Sequence, residues 1–175
     1  MKKTLIIISI LTILTISISN KASKIIIPKD AIRFRVIANS DSENDQKIKK
    51  IVANTLSTDI VEILKDTNSI SDARKTLQNN LNNFEISAKQ VAESNNYDKN
   101  IDVDYGIHYF PEKEYKGVTY KEGEYESLIV TLGKGEGQNF WCVLFPPLCL
   151  LEADEADTKE VEYKSFIKEL IDKYF

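Results

Sequence analysis

The chain has 175 residues, with 23 basic and 27 acidic side chains, one histidine and a net charge of −4. With 42% apolar and 29% charged residues it has the composition of an ordered fold, not of a disordered tail. Its acidic balance makes it a poor partner for nucleic acid or for anionic lipid headgroups, whose phosphates repel net negative protein.

Lys2 and Lys3 precede an apolar run from Leu5 to Ile18 that is broken only by Ser and Thr, and no acid occurs before Asp30. This is the profile of a secretory signal. The run is short for a spanning helix, which needs about twenty apolar residues. Ser17 and Ser19 supply small side chains for a cut after Ser19. An uncleaved N-terminal anchor is the alternative, and with it comes the only membrane contact expected. Cleavage removes two lysines and no acid, leaving the exported part more acidic still.

Residues 20–30 form a tether running through Pro28. Ile32, Phe34, Val36 and Ala38 then alternate with Arg33 and Arg35, the period of a strand with one apolar face. Asn39-Ser-Asp-Ser42 stops it, and Ser42 with Asp45 resembles a capping box with Asp in place of Glu. Ile48, Ile51, Val52, Leu56, Ile60, Ile63 and Leu64 put one apolar stripe on a helix over about 43–65. Ala73, Leu77, Leu81, Phe84, Ala88 and Val91 do the same over about 72–94, and the short break between the two predicts an antiparallel pair. Beyond Asn96 the period is two: Ile101, Val103, Tyr105, Ile107 and Tyr109 alternate as far as Pro111. A short strand over 115–120, a strand over 125–132 and a last strand over 140–145 follow. Glu152, Asp154, Glu155 and Asp157 make an acidic linker, and residues 158–175 read as an amphipathic helix. The order predicts an α+β domain over 31–151. Its antiparallel sheet has about four to five strands, with two long helices (about 43–65 and 72–94) on one face, and a C-terminal helix (about 158–175) follows.

Residues 132–149 hold the one Trp, both Cys, and half of the Gly and Pro. Gly133, Gly135 and Gly137 permit a tight turn. They fit a hairpin, since no Gly-Lys-Ser/Thr ends the run and no helix opens after it, as phosphate loops require. Phe140 to Phe145 is an apolar ribbon halted by Pro146-Pro147, which lack two backbone donors. The turn beyond brings Cys149 back toward Cys142. An exported chain favours a disulfide between them, worth ~2–3 kcal/mol by loop entropy; two buried thiols are the alternative. Aromatics on a stiff edge lose little entropy on binding and are frequent interface anchors. The candidate partner-binding residues are therefore Gly135, Gly137, Phe140, Trp141, Phe145, Pro146 and Pro147, with Arg33 and Arg35 as charge contacts. Core packing of the same aromatics is the competing reading.

No catalytic set is visible. His108 sits in an alternating strand, and Ser40, Ser42 and Ser127 stand outside any Gly-x-Ser-x-Gly elbow. Asp102 and Asp104 share a strand face. With Glu124 they are the acidic set that an exported cell-wall hydrolase would use, and solvent-facing alternation explains them equally. A small-ligand or lipid carrier, the other alternative, would need an apolar cavity between sheet and helices. Two Cys and a distant His108 do not make a zinc set, and no cofactor is expected.

Three blocks carry a resemblance: Ile27-Pro-Lys-Asp-Ala-Ile-Arg-Phe-Arg-Val-Ile-Ala-Asn-Ser-Asp-Ser-Glu-Asn-Asp-Gln46, Gly123-Glu-Tyr-Glu126, and Asn139-Phe-Trp-Cys-Val-Leu-Phe-Pro-Pro-Leu-Cys149. They resemble the stage II sporulation protein R family over roughly residues 25–151, with 152–175 unmatched. The resemblance implies an exported signalling protein of endospore formation, secreted into the space between forespore and mother-cell membranes. There it implies activation of a membrane-embedded aspartic protease, the partner, which processes the sigma-E precursor in the mother cell. On that reading residues 31–151 are a signalling domain, and the chain is a ligand and not an enzyme.

Overall fold

The computed structural model describes residues 25–115, 117–149 and 160–175, with side chains from residue 165 onward in the last stretch. The expected signal, the start of the tether and the acidic linker lie outside the described residues. In chain order the elements are β1 (Ile25–Ile26), β2 (Ile32–Ile37), α1 (Glu43–Leu64), α2 (Ile70–Asn79) and α3 (Leu81–Glu93). They continue with β3 (Ile101–Phe110), β4 (Lys113–Tyr115), β5 (Val118–Tyr120), β6 (Gly123–Leu132), β7 (Asn139–Phe145) and α4 (Glu160–Tyr174). Among the described residues no helix is long and apolar enough to cross a membrane.

The α+β class is as expected, but the main sheet is mixed. Its strand order is β3-β6-β2-β7, with β2 parallel to β6 and antiparallel to β7. β3 and β6 pair antiparallel from Ile101↔Leu132 to Phe110↔Gly123. The expected antiparallel sheet fails at β2 because the helices carry the chain away before β3 enters, and β6, antiparallel to β3, then returns parallel to β2. A second sheet, β1-β5-β4, was not expected. The single short strand predicted over 115–120 is a hairpin, β4 and β5, which turns at Gly117 with φ of 73°.

β2 also occupies the slot between β6 and β7. The glycine run is therefore not a hairpin turn, because the strands on either side of it never pair with each other. It steps across the end of β2 instead, with the Glu136 amide donating to the Asn39 carbonyl and the Gly137 amide to the Ala38 carbonyl. A Cβ at Gly137 would sit 2.3 Å from the Ser40 carbonyl oxygen, so the approach demands glycine there.

Ser42 caps α1 by accepting from the Asp45 amide at 3.2 Å. The second half of the expected box is absent. The Asp45 carboxylate turns to Asn39 Nδ2 (2.7 Å), Ser40 Oγ (2.6 Å) and Lys99 Nζ (3.0 Å), while the Ser42 amide donates to Ser40. The helix expected over 72–94 is two, α2 and α3, broken at Asn80 with φ −107° and ψ 7°. The cause is local: Asn80 donates from Nδ2 to the Thr76 carbonyl and from its amide to Leu77, competing with the helix ladder.

One apolar layer lies between the helices and one sheet face. Phe34 and Val36 of β2 and Leu128 and Val130 of β6 meet Val52, Leu56 and Ile60 of α1, Leu77 of α2 and Phe84 of α3. Each such side chain contributes roughly 1.5–3 kcal/mol on burial. A smaller cluster joins Ile27, Val118, Tyr120, Val143, Leu148 and Ile167, and so seats the small sheet and α4 against the main body.

Candidate functional site

On β2 the even-numbered side chains enter the helix-side core, and the odd ones, Arg33 and Arg35, point to the opposite face. Register brings Ser127 and Ile129 of β6 beside them on one side, and Val143 and Trp141 of β7 on the other. The hairpin of β4 and β5 covers part of this face. Arg33 is only 1% exposed, and its guanidinium stacks on Phe110 (4.5 Å), Tyr125 (5.1 Å) and Tyr120 (5.2 Å). Stacking of this kind offsets part of the cost of burying a cation. Arg35 is half-buried between Phe110 and Trp141, each 5.2 Å from its guanidinium carbon. Burial there pushes its pKa down from the ordinary arginine value. Lys113 Nζ of β4 lies 6.0 Å from the Trp141 ring centroid. Next to this assembly lies a cleft of about 250 Å³, lined among others by Arg33, Lys113, Tyr115, Tyr120, Asn139 and Trp141.

The predicted partner-binding residues thus divide. Arg33, Arg35 and Trp141 come together on one face. Phe140 projects to the helix side, edge-on to Phe34 at 6.1 Å. Phe145 is buried against Tyr174 and Phe175, and the Phe145–Pro146 peptide is cis, with Pro146 buried and Pro147 half-buried. Gly135 (φ 66°) sits against Thr131 of β6 and Ile37 of β2, and Gly137 packs the turn onto the loop that follows β2. Cys142 and Cys149 are joined as a disulfide, with Cα atoms 5.4 Å apart.

Sequence reasoning missed Phe110, Tyr120, Tyr125 and Lys113, because only the register shows that they share a face with Arg33. It also missed a hydrogen-bonded chain. His108 Nδ1 lies 2.8 Å from Ser127 Oγ, and Nε2 lies 2.8 Å from Asp104 Oδ2. The signal was partly present, since Asp104 and His108 lie four apart on one strand and so share a face. A nucleophile must reach its substrate, and Ser127 is 0% exposed, so the geometry fixes the imidazole and offers no hydroxyl. The acidic set considered for a hydrolase is dispersed. Glu124 pairs with Tyr109, far along the strand from Asp104↔Ile129 and Asp102↔Thr131, and on the opposite sheet face. Between sheet and helices, the space a carrier would need is filled by core side chains such as Phe34, Leu56, Leu77 and Phe84. Among the described residues no cluster of His, Cys, Asp and Glu is arranged to hold a metal.

The family model described as Stage II sporulation protein R matches residues 28–155, which takes in the arginine strand, the aromatic face and the disulfide. Stage II sporulation protein R of Bacillus subtilis (strain 168) is 39% identical over 150 residues, covering 85% of this chain and 67% of that protein. No solved structure matches the chain. With the family match spanning most of the chain and taking in nearly all of the three motif blocks, this chain belongs to the stage II sporulation protein R family and has a role in sporulation.

Proposed function

We propose that the chain is an exported intercellular signal of endospore formation. It acts in the space between forespore and mother-cell membranes, where it activates a membrane-embedded aspartic protease and so triggers processing of the sigma-E precursor. Family membership carries this reading. The geometry supports it in one respect: rigid strands hold Trp141 beside Arg35 and Lys113 at the edge of a cleft, an arrangement suited to recognition. On this reading the protease supplies the chemistry and the chain supplies the contact surface. The apolar N-terminal run serves export, and its uncleaved form would be the chain's only tie to the membrane.

The test is co-expression in a non-sporulating host of this chain, the protease and the sigma precursor, with and without the first 19 residues. Cleavage that requires both the protease and an exported, folded chain is the expected result. No cleavage, with export and folding demonstrated, would refute the reading.

A further inference from the structure

The outer strands of the main sheet are β7 and β3, and β3 is the longer, running 10 residues from Ile101 to Phe110. It pairs only with β6, in one unbroken register from end to end. In such a strand the amide and carbonyl of every second residue point away from the neighbour. Among the described residues no strand meets those of β3. Outer strands are ordinarily shielded by lysine, proline or a bulge, and β3 contains none of these.

The side chains along this edge define what it fits. Ile107 and Tyr109 share one face and are 65% and 57% exposed, more than any other large apolar side chain among the described residues. Both stand beyond Val103 and Tyr105, the part of β3 that packs against the helix-side core. Ile107 also lines a groove of about 670 Å³ with Ile26, Lys29, Lys121, Glu122 and Glu124, whose charges cancel. On the other face the charged side chains of β3 are Asp102 and Asp104, both exposed, and the strand has no lysine or arginine. The hydrogen bond to His108 fixes the Asp104 carboxylate in place. One face of the edge is thus acidic and the other apolar.

We propose that the β3 edge is a strand-addition site for an extended segment of a protein partner in which basic and apolar side chains alternate. Residues directly opposite each other in paired strands share a face. The basic residues of the added strand therefore meet Asp102 and Asp104, and its apolar residues cover Ile107 and Tyr109. Backbone pairing of this type supplies affinity, and the neighbouring side chains supply selectivity. A second copy of the chain is the poorer occupant. Its own β3 brings no lysine or arginine, and two β3 strands paired antiparallel gather the carboxylates of both copies on one face. The register Asp104↔Ile129, Arg35↔Ile129 and Arg35↔Trp141 runs straight across the sheet, so Asp104 and Trp141 share a face. Three strand spacings put them roughly 14 Å apart, within reach of one partner. The inference rests on the activating-ligand reading in taking the partner to be the membrane protease.

The test uses the full chain in the same co-expression system, with a photo-crosslinking amino acid in place of Ile107 on the β3 edge or of Ile86 on α3, both exposed. Expected are a crosslink from position 107 to the protease and none from position 86, with precursor cleavage retained in both. Asp102→Lys should lower crosslinking from position 107 and cleavage about tenfold, and Asp102→Glu should restore them. Ile107→Lys, which puts a lysine on the outer strand, should lower cleavage by a similar factor with urea unfolding unchanged. Crosslinks from position 86 and none from 107, with cleavage intact, would overturn the docking site and leave the activating-ligand reading standing. So would crosslinks from position 107 only to a second copy of the chain, or cleavage unchanged in both lysine variants. No cleavage by the unlabelled chain, shown to be exported and folded, would remove the partner, and both readings would fall together.

Discussion

Asp45 gives the sharpest quantitative test of how the fold is assembled. It is 4% exposed, and its carboxylate accepts from Asn39, Ser40 and Lys99 at 2.7, 2.6 and 3.0 Å. The hydrogen bonds from Ser40 and Asn39, with Lys99 beside them, outweigh burial and hold its pKa at about 2 instead of 3.8. At 1.36 kcal/mol per unit that depression corresponds to about 2 kcal/mol of stability. Hydrogen bonds to an ionised carboxylate, each worth roughly 1.5–3 kcal/mol but not additive, lead to the same order. Because the folded pKa is the lower one, the contribution is complete above the unfolded value of 3.8 and is lost as pH falls through about 2. Asp45→Asn should therefore cost about 2 kcal/mol in urea unfolding at about pH 7, and the gap to the parent should close toward about pH 2. A cost below about 0.5 kcal/mol, within the range of ordinary surface substitutions, would refute the argument. So would a gap that does not change with pH.

Further outcomes follow from the same packing. Gly137→Ala places a methyl 2.3 Å from the Ser40 carbonyl oxygen and 2.5 Å from its carbon, backbone atoms that yield poorly, so a loss of about 1–3 kcal/mol is expected in thermal or urea unfolding. Replacing Cys142 and Cys149 together by Ser opens a loop with a separation of 7 and should cost about 2–3 kcal/mol, and reductant should have the same effect on the parent. Ser127→Ala should leave precursor cleavage within about twofold of the parent in the co-expression assay, because the buried hydroxyl is not a nucleophile. Trp141→Ala should reduce cleavage about tenfold or more while the chain remains folded and exported. Phe140→Ala, one residue away but facing Phe34, should act instead through stability, costing about 3 kcal/mol or less in urea unfolding because Phe140 is only partly buried.

Period and caps made most of the elements legible. β2, β3 and β7 start and end within a residue or two of where alternation puts them, and α1 starts at Ser42 as its N-cap signature requires. Propensity obscured the break at Asn80, because Leu77, Leu81 and Phe84 keep a helical spacing across it and only the Asn side chain interrupts the ladder. Neighbour order was not legible at all. Nothing in the pattern of β6 and β7 shows that β2 lies between them, since strand order depends on which edges the helices leave open. The site shared that limit. Arg33, Arg35 and Trp141 could be singled out by type, but their shared face, the cover of Phe110, Tyr120 and Tyr125, and the burial of Arg33 follow from register and from a hairpin that read as one short strand.

The placement of β2 ties stability to display. One strand puts Phe34 and Val36 into the helix-side core and Arg33 and Arg35 onto the opposite face, so any shift of β2 moves both sets at once. The end of β2 is held by Asn39, whose Nδ2 donates to Asp45 and whose Oδ1 accepts from the Lys134 amide at 3.1 Å. Asp41 in turn accepts from the Gln138 amide at 2.7 Å, immediately before β7 begins. The glycine turn therefore sets where β7 starts along β2, and a slip of one residue would carry Trp141 to the core side and Phe140 to the cleft. Substitutions at Gly133, Gly135 or Gly137 that reduce signalling would then report on strand register, whereas substitutions at Lys113 or Trp141 would report on contact. The two classes separate by unfolding: the first should lower stability and signalling together, the second signalling far more than stability.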